Sequence, residues 1–229
     1  MRLVCISDTH NQHDKLGSLP DGDVLVPAGD WTGTGTQKQV ISFIRWFASQ
    51  PHKHKILIAG NHEITLDLQA YKDRWYMFHS RHPLQAHEIK SYVLREDGIQ
   101  YLENQSVEIE GFHFYGSPVT PSFGGWGFNV DRGDPIREVW SKIPTNTDVL
   151  ITHGAPYGYG DKLDIGDRVG CCDLLEEVIT RIKPKVHIFG HIHEGYGIYK
   201  LEGGPKFLNA SLCNEKYIST NDPIVYDLL

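Results

Sequence analysis

The chain has 229 residues, enough for one large domain or two small ones, and 40% of them are apolar, so a substantial core is available. Its formal charge of −7 argues against a broad face for long DNA or RNA, which needs a basic surface, but leaves room for a small nucleotide whose charge a metal balances. No run approaches the ~18 to 20 apolar residues of a membrane span, the start MRLVCISDTH does not read as a signal peptide, and the four cysteines (Cys5, Cys171, Cys172, Cys213) form no CxxC pair. Reduced thiols in a cytoplasmic protein with no membrane partner are the expectation.

Short apolar runs rich in Val and Ile mark strands at RLVCIS (2–7), DVLVPAG (23–29), KILIAG (55–60), DVLIT (148–152) and KVHIFG (185–190). Between the second and third, GTGTQKQ (33–39) lacks the Gly-Lys-Ser/Thr ending of a phosphate loop and reads as a loop entering a helix. That helix covers 37–49, with Val40, Phe43, Ile44 and Phe47 on one face. SVEIEGFHFYGS (106–117) reads as a hairpin turning near Gly111. A second helix is expected over 172–182, stopped by Pro184, and YGIYKL, PKFLNAS and PIVYDLL make a β-rich end. With no repeat or linker, one α/β domain spanning 1–229 is the economical reading.

The residues just past each strand organise the chain. The five ends read Ser7-Asp8-Thr9-His10, Gly29-Asp30, Gly60-Asn61-His62-Glu63, Thr152-His153-Gly154 and Gly190-His191-Ile192-His193. Ligand sites of α/β sheets lie beyond the carboxyl ends of strands, so five distant segments deliver polar groups to one edge. The set Asp8, His10, Asp30, Asn61, His153, His191 and His193 offers carboxylate, amide and imidazole donors and no thiolate, a mixture suited to Mn, Fe, Zn or Co. Seven groups exceed what one ion with an open position needs. They suit two ions about 3.5–4 Å apart, the arrangement used for phosphoester hydrolysis.

In this order and spacing the blocks resemble the calcineurin-like metallophosphoesterase superfamily, and the match runs over nearly the whole chain. KILIAGNHE, GFHFYGSPVTPSFGGWGFN, DVLITHGAPYGYGD and HIFGHIHEGYG are similar to its small MPPED-type (UPF0046) phosphodiesterase branch. The resemblance implies an α/β sandwich of two mixed sheets flanked by helices. It implies a first metal on Asp8, His10 and His193, a second on Asn61, His153 and His191, and Asp30 bridging both. It implies a hydroxide between the two ions as nucleophile, His62 at the leaving oxygen, and Glu63 behind the ligands. Manganese is the first expectation for the metal, and a small phosphodiester such as a cyclic nucleotide for the substrate. The alternatives are a nucleotide-binding regulatory module with little turnover, and a phosphomonoesterase or nuclease.

The remaining eight histidines have no motif context and are expected to be structural or solvated, with His187, in the strand before the last motif, the candidate for a supporting role. HEITL (62–66) is not HExxH, so no zincin is indicated. SFGGWGFN (122–129) is either a tight packed loop or a pocket wall on which Trp126 or Phe128 stacks a base, and GAPYGYGD (154–161) is a second candidate edge. Arg132 and Arg168 are more simply surface residues than phosphate ligands.

Overall fold

Side-chain alternation along the first strand, β1 (Arg2–Ile6), decides the layering: Leu3 and Cys5 face one core, Val4 and Ile6 another. The computed structural model describes residues 1–229. After β1 come β2 (Val24–Pro27), α1 (Gln37–Ala48), β3 (His54–Leu57), α2 (Leu68–Phe78), α3 (Ala86–Arg95), β4 (Gln100–Tyr101), β5 (Gln105–Ile109) and β6 (Phe112–Ser117). A short pair, β7 (Thr120–Pro121) and β8 (Asn129–Val130), precedes α4 (Asp134–Ser141), β9 (Val149–Thr152) and α5 (Cys172–Glu177). The chain closes with β10 (Val186–Phe189), β11 (Gly197–Lys200), β12 (Lys206–Asn209) and β13 (Ile224–Asp227).

Two sheets result, ordered β13-β1-β2-β3-β4 and β11-β12-β10-β9-β6-β5. Both are mixed. Their inner strands run parallel, and antiparallel strands (β13 in one, β11 and β5 in the other) lie only at edges. Residues such as Leu3, Val26, Ile58, Val149 and Ile188 fill the space between the sheets. The outer face of the first sheet packs on α1 and α3 through Phe43, Phe47, Ile89 and Val93. The outer face of the second packs on α4 and α5 through Ile136, Trp140 and Leu174. The expected sandwich of two mixed sheets between helices is the one found.

Local rules account for much of this. Thr36 caps α1 in a capping box, its hydroxyl accepting from the Gln39 N–H while the Gln39 side chain accepts from the Thr36 N–H at 3.2 Å. GTGTQKQ is therefore a helix entrance. The hairpin turns at Glu110-Gly111, both in the left-handed region (φ 51° and 83°), as a two-residue turn requires. The helix expected over 172–182 is α-helical only to Glu177. Val178–Ile182 widens into a π turn, ended by Lys183 at φ 52° just before Pro184. No helix is long and apolar enough to cross a membrane.

Candidate metal centre

The carboxyl ends of β1, β2, β3, β9 and β10 meet at one rim, where bonds between segments lock their turns together. The Asp8 N–H donates to Gly29 O at 3.0 Å, the His10 N–H to Asp30 O at 3.1 Å, and the Gly190 N–H to His153 O at 3.1 Å. Four of the polar residues, Asp8, His10, Asp30 and His191, hold φ between 41° and 69°. Residues other than Gly adopt that region uncommonly, Asn, Asp and His more readily than most, and such conformations concentrate at functional sites where surrounding contacts enforce them. Here the left-handed backbone turns each strand sharply, so that side chains separated by more than a hundred residues face one another. Gly190 permits a close approach, since a Cβ there would overlap Asp8 Oδ2 and Ser7 Oγ.

Two ligand-like groups emerge. Asp8, His10 and His193 bring donor atoms within 4.8 Å of one another, and so do Asp30, His153 and His191. Asp8 Oδ2 accepts from the His191 N–H (2.9 Å) and the Ser211 hydroxyl (2.8 Å), which leaves Oδ1 buried, unpartnered and facing the first group. His10 Nε2 and His193 Nε2 lie 3.2 Å apart. In the second group Asp30 Oδ2 lies 3.1 Å from His153 Nε2, and Asn61 Oδ1 lies 3.0 Å from the same nitrogen. Asp30 also shares a cluster with His10 and His62, which places it between the two groups. All seven residues singled out from the sequence are thus brought together.

Backbone carbonyls fix the tautomers. Nδ1 of His153 donates to Ala28 O at 2.8 Å and Nδ1 of His193 to Asn214 O at 2.8 Å. Each Nε2 is thereby aimed inward, where loss of its proton frees a lone pair for a metal. Electrostatics agree with a cation-binding centre. Burial opposes the charged forms, yet the Asp30 and Asp8 carboxylates push His153 and His193 up to about 9. Asp8 and Asp30 are likewise held below the usual carboxylate range against their burial, Asp8 chiefly by His193 and Asp30 chiefly by His153. Burial pushes His10 and His191 down to about 4, so both offer neutral nitrogens at physiological pH. An unsatisfied buried carboxylate oxygen, inward imidazole nitrogens and an amide oxygen make a donor set that fits divalent metal ions.

Support comes from residues around this set. Glu63 is fully buried and accepts from the N–H groups of Asp30 (2.9 Å), Thr32 (2.7 Å) and Gly60 (2.7 Å) and from the Thr32 hydroxyl (2.8 Å). It staples the turn carrying Asp30 to the turn carrying Asn61. Burial and the Asp30 charge push its pKa up to about 8, while the four donors favour its ionised form. Nδ1 of His62 donates to Gly33 O at 2.7 Å, and its Nε2 lies 3.9 Å from Asp30 Oδ2. His187 donates from Nε2 to the Thr152 hydroxyl at 2.8 Å and so braces the strand end before His153 without touching a ligand side chain.

A cavity of about 450 Å³ opens over the metal-ligand candidates. Its floor includes Asp30, Asn61, His62, His191 and His193, and Pro121, Phe123, Trp126 and Val169 make an apolar wall. The Arg132 guanidinium lies at the pocket but is occupied by the carbonyls of Gly170 (2.8 Å) and Val169 (2.6 Å). Arg168 pairs with buried Asp161. Phe128 is buried with Trp31 and Phe43 at φ 55° and does not line this cavity, so it offers no face there to a base. Tyr217, which no motif signals, stands at the rim with its ring 4.7 Å from His10 and 5.3 Å from His193. Its backbone is also left-handed, at φ 57°, and Gln12 Nε2 donates to its carbonyl at 2.7 Å. Ser211 and Asn214 carry no sequence signal either, because their contacts with Asp8 and His193 join segments far apart in the chain.

Strand-end carboxylates and imidazoles gathered on a two-sheet sandwich make a candidate metal centre of the metallophosphoesterase kind. Comparison with known proteins gives the same class: residues 1–195 match the family model described as calcineurin-like phosphoesterase, and the chain belongs to this family. It is 43% identical over 99% of its length to human metallophosphoesterase domain-containing protein 1, covering 71% of that protein, and matches the mouse protein equally. A UPF0046 protein of Caenorhabditis elegans is 42% identical over the full chain, which spans 81% of that relative. A solved structure with a TM-score of 0.62 and 16% identity covers 91% of this chain and 89% of its own, a likeness of fold. The protein is accordingly a phosphoric ester hydrolase of the metallophosphoesterase class with a candidate divalent-metal site.

Proposed function

We propose that the protein is a binuclear metal-dependent phosphodiesterase acting on small phosphodiesters, with cyclic nucleotides the leading candidates. The observation that carries this reading is the pair of ligand groups with Asp30 between them. Asp8, His10 and His193 would hold one ion and Asn61, His153 and His191 the other, with Asp30 shared between the two groups. Two divalent ions there would supply Lewis acidity, a lowered pKa for water and neutralisation of phosphoryl charge, with manganese the expected occupant and iron, zinc or cobalt the alternatives. His62 stands beside Asp30, its Nδ1 proton fixed on Gly33 O, so Nε2 is the nitrogen that carries a proton to the leaving oxygen.

The pocket supports a small diester. Its volume lies in the range of small-ligand sites. Arg132 is engaged by backbone carbonyls, and Glu194 and Glu215 also line the pocket. Arg132 is the one Arg or Lys lining the pocket, too few to favour a polymer backbone, and the net charge is −7. A cytoplasmic site of action suits the free cysteines.

The test is hydrolysis of bis-p-nitrophenyl phosphate by metal-stripped protein reloaded with manganese, with Asp30→Asn alongside. Metal-dependent nitrophenol release that disappears in the variant is the expected result. Two equivalents of bound metal with no release would overturn the diesterase reading in favour of a binding module, and faster release from p-nitrophenyl phosphate would favour a monoesterase.

A further inference from the structure

His62 is held at more points than its hydrogen bond to Gly33. The Trp126 indole stacks on its ring with centroids 4.0 Å apart and planes at 23°, while His10 meets it edge-on at 4.6 Å. A hydrogen bond at Nδ1 alone leaves an imidazole free to tilt about that bond, and a flat partner removes this freedom. Trp126 is in turn supported by Phe78 of α2, at 4.8 Å between centroids.

The loop bearing Trp126 is seated on the turn bearing His62. The Gly127 N–H donates to the carbonyl of Asn61 at 3.2 Å, and the Phe128 N–H donates to Asp67 Oδ2 at 2.7 Å. A Cβ at Gly127 would stand 3.1 Å from Asn61 O and 3.2 Å from the Ile64 Cα, so the two backbones are in direct contact. With one face on His62, the indole is not a free platform for a base. Phe123, 70% exposed on the same loop, is an aromatic ring left open at the pocket.

We propose that Trp126 is a positioning residue for His62, fixing the plane of the imidazole so that Nε2 addresses the leaving oxygen. This rests on the reading of His62 as the proton donor. Its signature is dependence on the leaving group, because a nitrophenolate departs without a proton whereas a phenolate or alkoxide needs one.

The experiment compares wild type, Trp126→Ala, Trp126→Phe, His62→Ala and the His62→Ala, Trp126→Ala double variant, all with metal content measured. The substrates are bis-p-nitrophenyl phosphate and the unsubstituted diphenyl phosphate. Trp126→Ala should keep wild-type metal content and lose about 10- to 100-fold in kcat on the phenyl ester, the usual range for a misplaced catalytic group, with a much smaller loss on the nitrophenyl ester. Trp126→Phe should recover most of it, and the double variant should be no slower than His62→Ala. In metal-free protein the ring protons of His62 should lose their ring-current shift in the Trp126→Ala NMR spectrum.

Equal losses on both esters, additive losses in the double variant, or unshifted His62 resonances would overturn the proposal. Wild-type turnover of the phenyl ester by His62→Ala would remove the proton-donor reading, and the role of Trp126 with it. That failure is distinguishable because it appears in the His62 variant itself.

Discussion

Glu63→Gln isolates the contribution of the staple beneath the centre. In the native protein one carboxylate oxygen serves Thr32 N and Oγ1, and the other serves Asp30 N and Gly60 N. An amide has one acceptor oxygen. Turned to keep Asp30 and Gly60, it presents its NH₂ to Thr32, whose hydroxyl can rotate to accept but whose N–H cannot. One buried backbone donor is then orphaned, at a cost of about 1–3 kcal/mol, and the remaining bonds lose their charge assistance. The sum is roughly 2–4 kcal/mol, set against the about 5–15 kcal/mol that holds a typical domain together. For a chain of this length each kcal/mol moves Tm by about 2–4 °C, so Tm of the metal-free protein should fall by roughly 4–16 °C. The assay is urea and thermal unfolding of metal-stripped wild type and variant at about pH 9, above the Glu63 pKa of about 8 so that the carboxylate is ionised, followed by metal titration of each at a temperature where both are folded. The variant should also bind metal more weakly, since the staple aligns Asp30 with Asn61. Stability within about 0.5 kcal/mol of wild type, the range of ordinary surface substitutions, would refute the reasoning.

Three further outcomes are expected. His62→Ala should leave metal stoichiometry unchanged and lower kcat on a phenyl diester by about 10²- to 10⁴-fold, the usual worth of a positioned acid; normal kcat in purified variant would sink that role. His153 and His193, raised to about 9, are protonated in the metal-free protein at pH 7. Metal uptake at that pH should release about two protons, and metal affinity should rise with pH up to about 9. Calorimetry in buffers of different ionisation enthalpy measures both, and proton-neutral uptake would contradict the assignment. Because their folded pKa values lie above the ordinary 6.5, the same pair stabilises the metal-free fold fully below about 6.5 and ceases to do so as pH rises through about 9. Gly190→Ala should displace Asp8 and reduce occupancy of the first metal position with the fold retained, read as metal content against circular dichroism. Full occupancy at wild-type affinity would show that the close approach at Gly190 is not needed.

Phe43 and Phe47 announce α1 by spacing alone, and five β-rich runs each stop at a polar strand end, because burial pattern and turn chemistry act over a few residues. Helices α2 and α4 carry shorter marks: α2 buries only Tyr71, and α4 buries Ile136 and Trp140, four apart, within only eight residues. Their place depends on surfaces supplied by other segments. The π turn after Glu177 is silent for the same reason, since side chains alone do not distinguish it from a continuing α-helix.

The identities of the candidate ligands are therefore legible from strand ends and short spacings, which are local facts. Their geometry is not. Asp8 offers Oδ1 rather than Oδ2 because His191 N and Ser211 Oγ, far along the chain, occupy the latter. His193 turns Nε2 inward because Asn214 O holds Nδ1. Tyr217 reaches the rim, Phe128 leaves it for the core, and Trp126 lies flat on His62. Residue type and spacing determine which groups can bind a metal, but the atom each presents is set by hydrogen bonds and packing between distant segments, and only the folded chain brings those together.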